Sequence, residues 1–287
     1  MSAAAGEAPA PAPVLAVRLC QCAAGSEPAA NRDHLRELLL RSPQQPAALT
    51  LLPENALCFG AEADIRRAAR PAAEWAAFLA PLAQVAGGVL VAGGVPVPAA
   101  VVADSATAGR LCQAALAVAP DGTLLARYDK AHLFRLDPDQ AGGSDESRLY
   151  RPGDRPGGVF TLHGWRIGLA ICFDLRFPEL FRALQPPADL WLCPAAFARE
   201  TGHAHWRPLL QARAIENQCY VAAAGLCGTN PETGFACFGH SLLLDPWGEA
   251  VLAAPGAAEG CFGATLERAR LAAVRRRLPA LAARRFG

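Results

Sequence analysis

The sequence predicts an α/β fold on three observations. Short apolar runs alternate with helical stretches from residue 14 onward. Some runs are joined by tight turns and others by helices, so the sheets combine hairpin with parallel strands. Apolar residues make up 52% of the 287-residue chain against 18% charged, the balance of a compact, well-buried globule.

Residues 1–13, "MSAAAGEAPAPAP", are Ala, Pro and little else, and predict a disordered leader. "VLAVRLC" follows as a strand, and "NRDHLRELLLRS" as a helix opening on Asn31. "ALTLLPENAL" is a strand that ends at Pro53–Glu54. "PAAEWAAFLAPLAQVA" is a helix with Pro71 at its start, where a missing N–H costs nothing. "GVLVAGGV" is a strand, and "LCQAALAVAPDGTLLARYDK" a hairpin turning at Asp121–Gly122. "GVFTLHGWRIGLAIC" is a hairpin closing a buried strand, and "PELFRALQ" a helix with Pro178 in first position. "DLWLCPAAF" is a strand, "HWRPLLQARAIENQ" a helix and "CYVAAAGLC" a strand. "SLLLDPWGEAVLAA" is a hairpin around Pro246–Gly248, and "CFGATLE" is the last strand, leading into the helix "RARLAAVRRRL". Nothing marks a linker or a repeat between 14 and 270, so residues 14–287 read as one domain with a basic C-terminal helix and tail.

Composition excludes several classes. A net charge of +1 provides no field for nucleic acid or an anionic membrane, and the Arg-rich tail "RRRLPALAARRFG" reads as a solvated helix end. No uncharged apolar run reaches the ~18 residues of a membrane span. The N-terminus lacks the basic region and apolar core of a secretion signal. Ten cysteines lie mostly in apolar runs with no C-x-x-C, against a zinc ribbon or a thioredoxin-type site and in keeping with a reducing cytoplasm.

One residue stands apart. Of 27 basic Lys and Arg residues, only Lys130 is a lysine. A compact ammonium on a flexible stem can enter a tight space where a planar guanidinium cannot; the plain alternative is chance in an Arg-rich chain. Lys130 follows the strand "LLARYD". Glu54 follows "LTLLP", a strand too apolar to end on a carboxylate without a reason. Cys172 ends the buried strand of "GWRIGLAICFDLRFPEL" just before a helix, at the sheet edge where open α/β folds place their sites. The backbone N–H groups after it can hold an oxyanion. Packing is the bland reading of any one cysteine, but Asp174, Arg176 and Glu179 follow it closely. A carboxylate shielded from water can act as base to a thiol, and an ammonium alongside stabilises thiolate and oxyanion. Cys172 is thus expected to be the most reactive of the ten thiols.

The motifs "LLPENAL", "YDKAHLF", "GLAICFDLRFPEL", "HWRPLLQARAIENQCYVAA" and "GHSLLLDPWGE" resemble the nitrilase superfamily of carbon–nitrogen hydrolases, from about Val14 to Arg285. The resemblance implies a four-layer α-β-β-α sandwich and a Glu-Lys-Cys triad, carried here by Glu54, Lys130 and Cys172. It implies a second glutamate, matched by Glu146 in "SDESRLYRPGD", and a homodimer or higher homo-oligomer packed through the helices near the nucleophile. True nitrilases read Cys-Trp-Glu at the nucleophile; "CFDLRFPE" is similar to the amidase branch that holds omega-amidase and deaminated-glutathione amidase. Leu111–Cys112 replaces the Tyr-Asn usual before the fourth strand. The substrate implied is a small carboxylated amide.

Arg176 is the candidate for the substrate carboxylate, since a guanidinium can grip it bidentately; pairing with Glu179 or Asp174 is its structural alternative. Phe173, Phe197 and Thr201 are the further substrate-binding positions the resemblance implies. His203 and His205 lack a third ligand at suitable spacing, so capping and packing are expected of them and no metal or other cofactor is. Beside the amidohydrolase, two readings stay open: another activity of the family (aliphatic amidase, nitrilase, or acyl transfer to an amine) and a non-catalytic interaction scaffold.

Overall fold

A computed structural model describes residues 13–42, 47–99, 109–136 and 144–285. The predicted leader through residue 12 lies outside the described residues, as do 43–46, 100–108, 137–143 and 286–287.

Two six-stranded sheets carry the fold. The first comprises β1 (Val14–Gln21), β2 (Leu49–Glu54), β3 (Val89–Pro98), β4 (Leu111–Val118) and β5 (Leu124–Asp129), with β14 (Gly260–Glu267) pairing back onto β1. A short ribbon follows, β6 (Arg135–Leu136) with β7 (Ser144–Asp145). The second sheet runs in space from β8 (Gly158–Leu162) through β9 (Trp165–Leu169), β10 (Leu190–Ala195), β11 (Tyr220–Gly225) and β12 (Leu242–Leu244) to β13 (Ala250–Ala253). In each sheet three central strands are parallel, β1–β2–β3 and β9–β10–β11, and the flanks are antiparallel. β2, β10 and β11 are buried along their whole length, which is why they read as unbroken apolar runs rather than alternating ones.

The helices are α1 (Pro28–Arg41), α2 (Glu62–Ala68), α3 (Ala72–Ala86), α4 (Pro178–Ala183), α5 (Arg199–Asn217) and α6 (Arg268–Arg277). The sheets pack face to face through β1, β2, β10 and β11; α1 and α3 cover the outer face of the first sheet, α5 with α4 beside it that of the second. This is the expected α-β-β-α sandwich. Its core is Leu, Val and Ala between the sheets, with Trp75 buried under α3 and Trp165, Trp191 and Trp206 in the second sheet's half.

Three helices depart from the sequence reading. α1 begins at Pro28, ahead of Asn31. α5 begins at Arg199, well before His205, and carries Pro208 inside it. α2 was not expected: among its residues only Ala68 is buried, so it has no apolar stripe to see, and its N-terminus is held by the Asp64 carboxylate accepting the Ala61 N–H at 3.1 Å.

The topology makes the C-terminal ends of β2 and β5 share one edge of the first sheet. β9 and β10 end together in the second sheet. Glu54 closes β2, Lys130 follows β5, Cys172 follows β9 and Ala196 follows β10.

Candidate active site

Glu54 is placed by a bulge in its neighbour. The register of β3 against β4 shifts between Ala92 and Val95, around Gly93–Gly94, and that of β2 against β3 shifts between Leu51 and Glu54. Gly94 has φ +73°, and a Cβ there would lie 2.8 Å from Glu54 Cγ and 2.4 Å from Asn55 Oδ1. Only glycine allows β3 to pass this close behind the carboxylate. Glu54 is 2% exposed, and its oxygens are taken up by three donors. Lys130 Nζ (2.8 Å) and Gln113 Nε2 (3.1 Å) donate to Oε1, and the Ala196 N–H (2.8 Å) reaches across from the other sheet to Oε2.

Lys130 is 1% exposed and sits between two carboxylates, donating also to both oxygens of Glu146 at 3.0 Å. Glu146 in turn accepts the Phe134 N–H at 2.6 Å. Burial by itself would lower the lysine's pKa, but the charges of Glu146 and Glu54 outweigh it and hold the ammonium well above its usual range. Burial pushes the Glu146 carboxyl up; Lys130 pulls it back only in part. The lone lysine is therefore a buried, permanently charged group with two anionic partners.

Cys172 opens a 3-10 turn, Cys172–Arg176, with φ +43°, a left-handed conformation uncommon for a residue with a side chain. The strain is held by Asp174, fully buried, whose carboxylate accepts the Ile171 N–H at 2.9 Å, the Tyr128 hydroxyl at 2.8 Å and the His132 N–H at 3.0 Å. Burial raises the Cys172 pKa well above its usual value, and the Glu54 charge raises it further, with Lys130 countering only part. Cys172 is thus held as a thiol, first by burial and then by the Glu54 charge, while Lys130 is shared between two carboxylates.

These groups open onto a cavity of about 470 Å³. The predicted substrate positions Phe173, Arg176, Phe197 and Thr201 all line it, as do Glu54, Lys130, Glu146 and Cys172. Arg176 lies over the rings of Phe173 and Phe197 at 5.7 and 5.3 Å and meets His205 Nδ1 at 3.3 Å; among the described residues it pairs with no carboxylate, neither Asp174 nor Glu179. Thr201 sits in the first turn of α5, its hydroxyl 3.4 Å from the Ala198 carbonyl. Phe197 packs on Trp206 at 5.2 Å. His203 stands edge-on to Phe238. Two residues of the site carried no expectation from sequence, Gln113 and Asn55. The signal for Gln113 was present: one amide in the otherwise apolar strand "LCQAALAV".

Known proteins resemble this chain in sequence and in fold. The carbon-nitrogen hydrolase family profile matches residues 16–276. The deaminated glutathione amidase of a Synechocystis species is 38% identical over 259 residues, 89% of this chain and 93% of that one. The human omega-amidase is 39% identical over 173 residues, 60% and 62% of the two chains. Among solved structures, a CN-hydrolase superfamily protein of Xanthomonas campestris with an arsenic adduct in its active site superposes with a TM-score of 0.82 at 28% identity, covering 96% of this chain and 98% of that one. An amidase mutant from a Nesterenkonia species, carrying the acetamide moiety of fluoroacetamide on its active-site cysteine, superposes at 0.72 with 28% identity over 94% and 96%. Sequence, sandwich and the buried thiol–carboxylate–ammonium cluster converge on one assignment: the chain belongs to the carbon-nitrogen hydrolase family.

Proposed function

We propose that this chain is a cysteine-dependent amidohydrolase that cleaves the C–N bond of small carboxylated amides, releasing ammonia or an amine. One observation carries the reading: a buried lysine donates to a buried carboxylate beside a buried thiol, at the wall of a cavity. Cys172 Sγ attacks the amide carbon while Glu54 takes the thiol proton, and the carbonyl electron pair moves onto oxygen, held by the Lys130 ammonium and the Phe173 N–H. Collapse breaks the C–N bond as Glu54 returns the proton to the departing nitrogen, leaving a thioester. Water then attacks the thioester, giving its proton to Glu54; collapse expels the sulfur, which regains that proton and frees the acid. A thiol with a raised pKa suits this sequence, since the proton leaves sulfur only as the C–S bond forms. Glu146 holds Lys130 in place throughout.

Arg176 is the cation for the substrate carboxylate, as a guanidinium in the cavity wall that pairs with no carboxylate among the described residues. The relatives named deaminated glutathione amidase and omega-amidase support amides of 2-oxo acids as substrates. The test is release of ammonia or amine from 2-oxoglutaramate, deaminated glutathione and a simple nitrile by wild type and Cys172→Ala. Turnover of either amide, lost in Cys172→Ala, is expected. No turnover of any, or undiminished turnover by Cys172→Ala, defeats the reading.

The same reading includes residues 14–287 as one catalytic domain, a cytoplasmic setting for a chain with nine buried thiols, and a homodimer through α4 and α5, where Ile215 is half exposed. Light scattering on the 30.0 kDa chain at micromolar concentration checks the last; a monomer contradicts it.

A further inference from the structure

Gln113 is 1% exposed in the middle of a sheet, yet its amide is only half satisfied. Nε2 donates to Glu54 Oε1 at 3.1 Å and to Asn55 Oδ1 at 3.3 Å. Oε1 is buried with no partner among the described residues. The amide cannot be turned around to relieve this, because its oxygen would then face the Glu54 carboxylate. A buried acceptor left unpaired is a cost to the fold, and an apolar side chain of the same shape would remove it. What the glutamine supplies in return is one neutral donor to the carboxylate that also holds Lys130. Its backbone joins the same cluster, the Gln113 carbonyl accepting the Lys130 N–H at 2.9 Å.

We propose that Gln113 is a positioning residue for the proton-transfer step, retained at the expense of stability because its Nε2 fixes the direction in which Glu54 faces the thiol and the leaving nitrogen. This rests on the amidohydrolase reading with Glu54 as the base. Lys130 and the Ala196 N–H hold the carboxylate from two sides, and Gln113 closes the third, so the rotation left to it is small. The other titratable groups bearing on Glu54 are Glu146, Cys172, Cys193, Cys237 and Tyr150.

The test compares Gln113→Met and Gln113→Glu with wild type on an amide that wild type turns over, reading kcat/KM against pH together with thermal unfolding. Gln113→Met keeps length and volume but removes both amide ends. Its melting temperature should equal or exceed that of wild type while kcat falls about tenfold, in line with the loss of one well-placed hydrogen bond. The acidic limb of its profile should move to higher pH, since a carboxylate stripped of a donor protonates more easily. Gln113→Glu places a second carboxylic group against Glu54. One proton shared between them preserves activity at acid pH, and repulsion removes it as that proton is lost. Gln113→Met with a lower melting temperature and an unmoved limb, or Gln113→Glu with a wild-type profile, overturns the proposal. Absence of turnover in wild type would instead defeat the amidohydrolase reading.

Discussion

Asp174 and His132 tie the nucleophile's turn to the lysine's loop. The Asp174 carboxylate accepts from the His132 backbone N–H at 3.0 Å and from its ring Nδ1 at 2.8 Å, which fixes the proton of that ring on Nδ1. The imidazole is stacked flat on Phe177, centroids 3.7 Å apart. Asp174 therefore grips Ile171, just before Cys172, as well as Tyr128 and His132, either side of Lys130. Nucleophile and ammonium come from different sheets, and this carboxylate sets their separation.

Asp174→Ala should accordingly cost stability and activity together. It leaves the Ile171 N–H, the His132 N–H and the Tyr128 hydroxyl without their acceptor, at about 1–3 kcal/mol for each buried group that water cannot reach. A loss of at least about 3 kcal/mol in a denaturant titration is expected. Asp174→Asn, which keeps one acceptor oxygen, should lose less. Wild-type stability in the alanine variant would mean the clamp is dispensable.

Lys130→Arg preserves charge but not size. Nζ lies within 3.0 Å of oxygens from both Glu54 and Glu146 in a site with 1% exposure, and a planar fork cannot occupy it without displacing one of them. A fall in kcat of at least ~100-fold is expected, the usual cost of one lost oxyanion donor. Glu54→Gln should be as damaging, because a neutral amide cannot carry the proton. Circular dichroism of both variants separates lost chemistry from lost fold, and near wild-type rates in Lys130→Arg would return the lone lysine to chance.

Thiol chemistry should divide between two cysteines. Cys20 and Cys261 face each other across β1 and β14, sulfurs 3.1 Å apart. The hydrogen bond from Cys20 brings the partly exposed Cys261 down to about 7, against the raising effect of burial. Cys172 is pushed the other way. Cys261 therefore carries a substantial thiolate fraction at neutral pH, and Cys172 gains one only as pH rises. Iodoacetamide should label Cys261 first without loss of activity, and inactivation should follow the slower labelling of Cys172 and accelerate with pH. Peptide mapping against residual activity checks this. The order reverses the expectation from sequence, in which the degree to which burial and the Glu54 charge raise the Cys172 thiol could not be read.

What was legible in the sequence was polarity out of place. Glu54 ends an apolar strand, Lys130 is alone of its kind, and Cys172 sits where a buried strand turns into a helix; each is a local anomaly. What was not legible depends on register. Asp174 was visible as a charge near Arg176, but its partners Tyr128 and His132 are 46 and 42 residues away, and only the pairing of two sheets brings them together. "GVLVAGGV" read as a plain strand, since a bulge leaves no mark in hydrophobic period. α2, with one buried residue, had no stripe to show.

That bulge gives a fourth prediction. Gly94→Ala puts a Cβ 2.6 Å from the Asn55 N and 2.8 Å from Glu54 Cγ at φ +73°, so Glu54 must move. Left-handed backbone alone costs about 1–2 kcal/mol for a residue with a side chain. Displacement of a catalytic group by about 1 Å can cost ~100-fold in rate. Gly87→Ala is the control, with φ +78° and nothing within 4 Å of the added carbon. It should lose similar stability with unchanged kcat. Equal activity in the two variants would show that the bulge does not aim Glu54.

Arg176 is the proposed determinant of substrate choice. Its guanidinium lies in the cavity wall between the Phe173 and Phe197 rings, pairs with no carboxylate among the described residues, and sits at the far end of the turn that Cys172 opens. The aromatic faces and the His205 contact hold its plane without neutralising it, which leaves the fork available to a carboxylate. The enzyme should then prefer amides with a distal carboxylate over neutral amides of equal length. Losing a charge-assisted contact costs roughly 1.5–3 kcal/mol, about 10- to 150-fold in kcat/KM. Arg176→Lys should lose part of the preference, because a point charge cannot reproduce the bidentate geometry. Arg176→Ala should erase it while slow turnover of neutral amides continues. The measurement is kcat/KM for 2-oxoglutaramate against a neutral amide in wild type and both variants. A fall of equal size on both substrates in Arg176→Ala would assign Arg176 to the packing of the Phe173–Phe197 wall and place the carboxylate site elsewhere in the cavity.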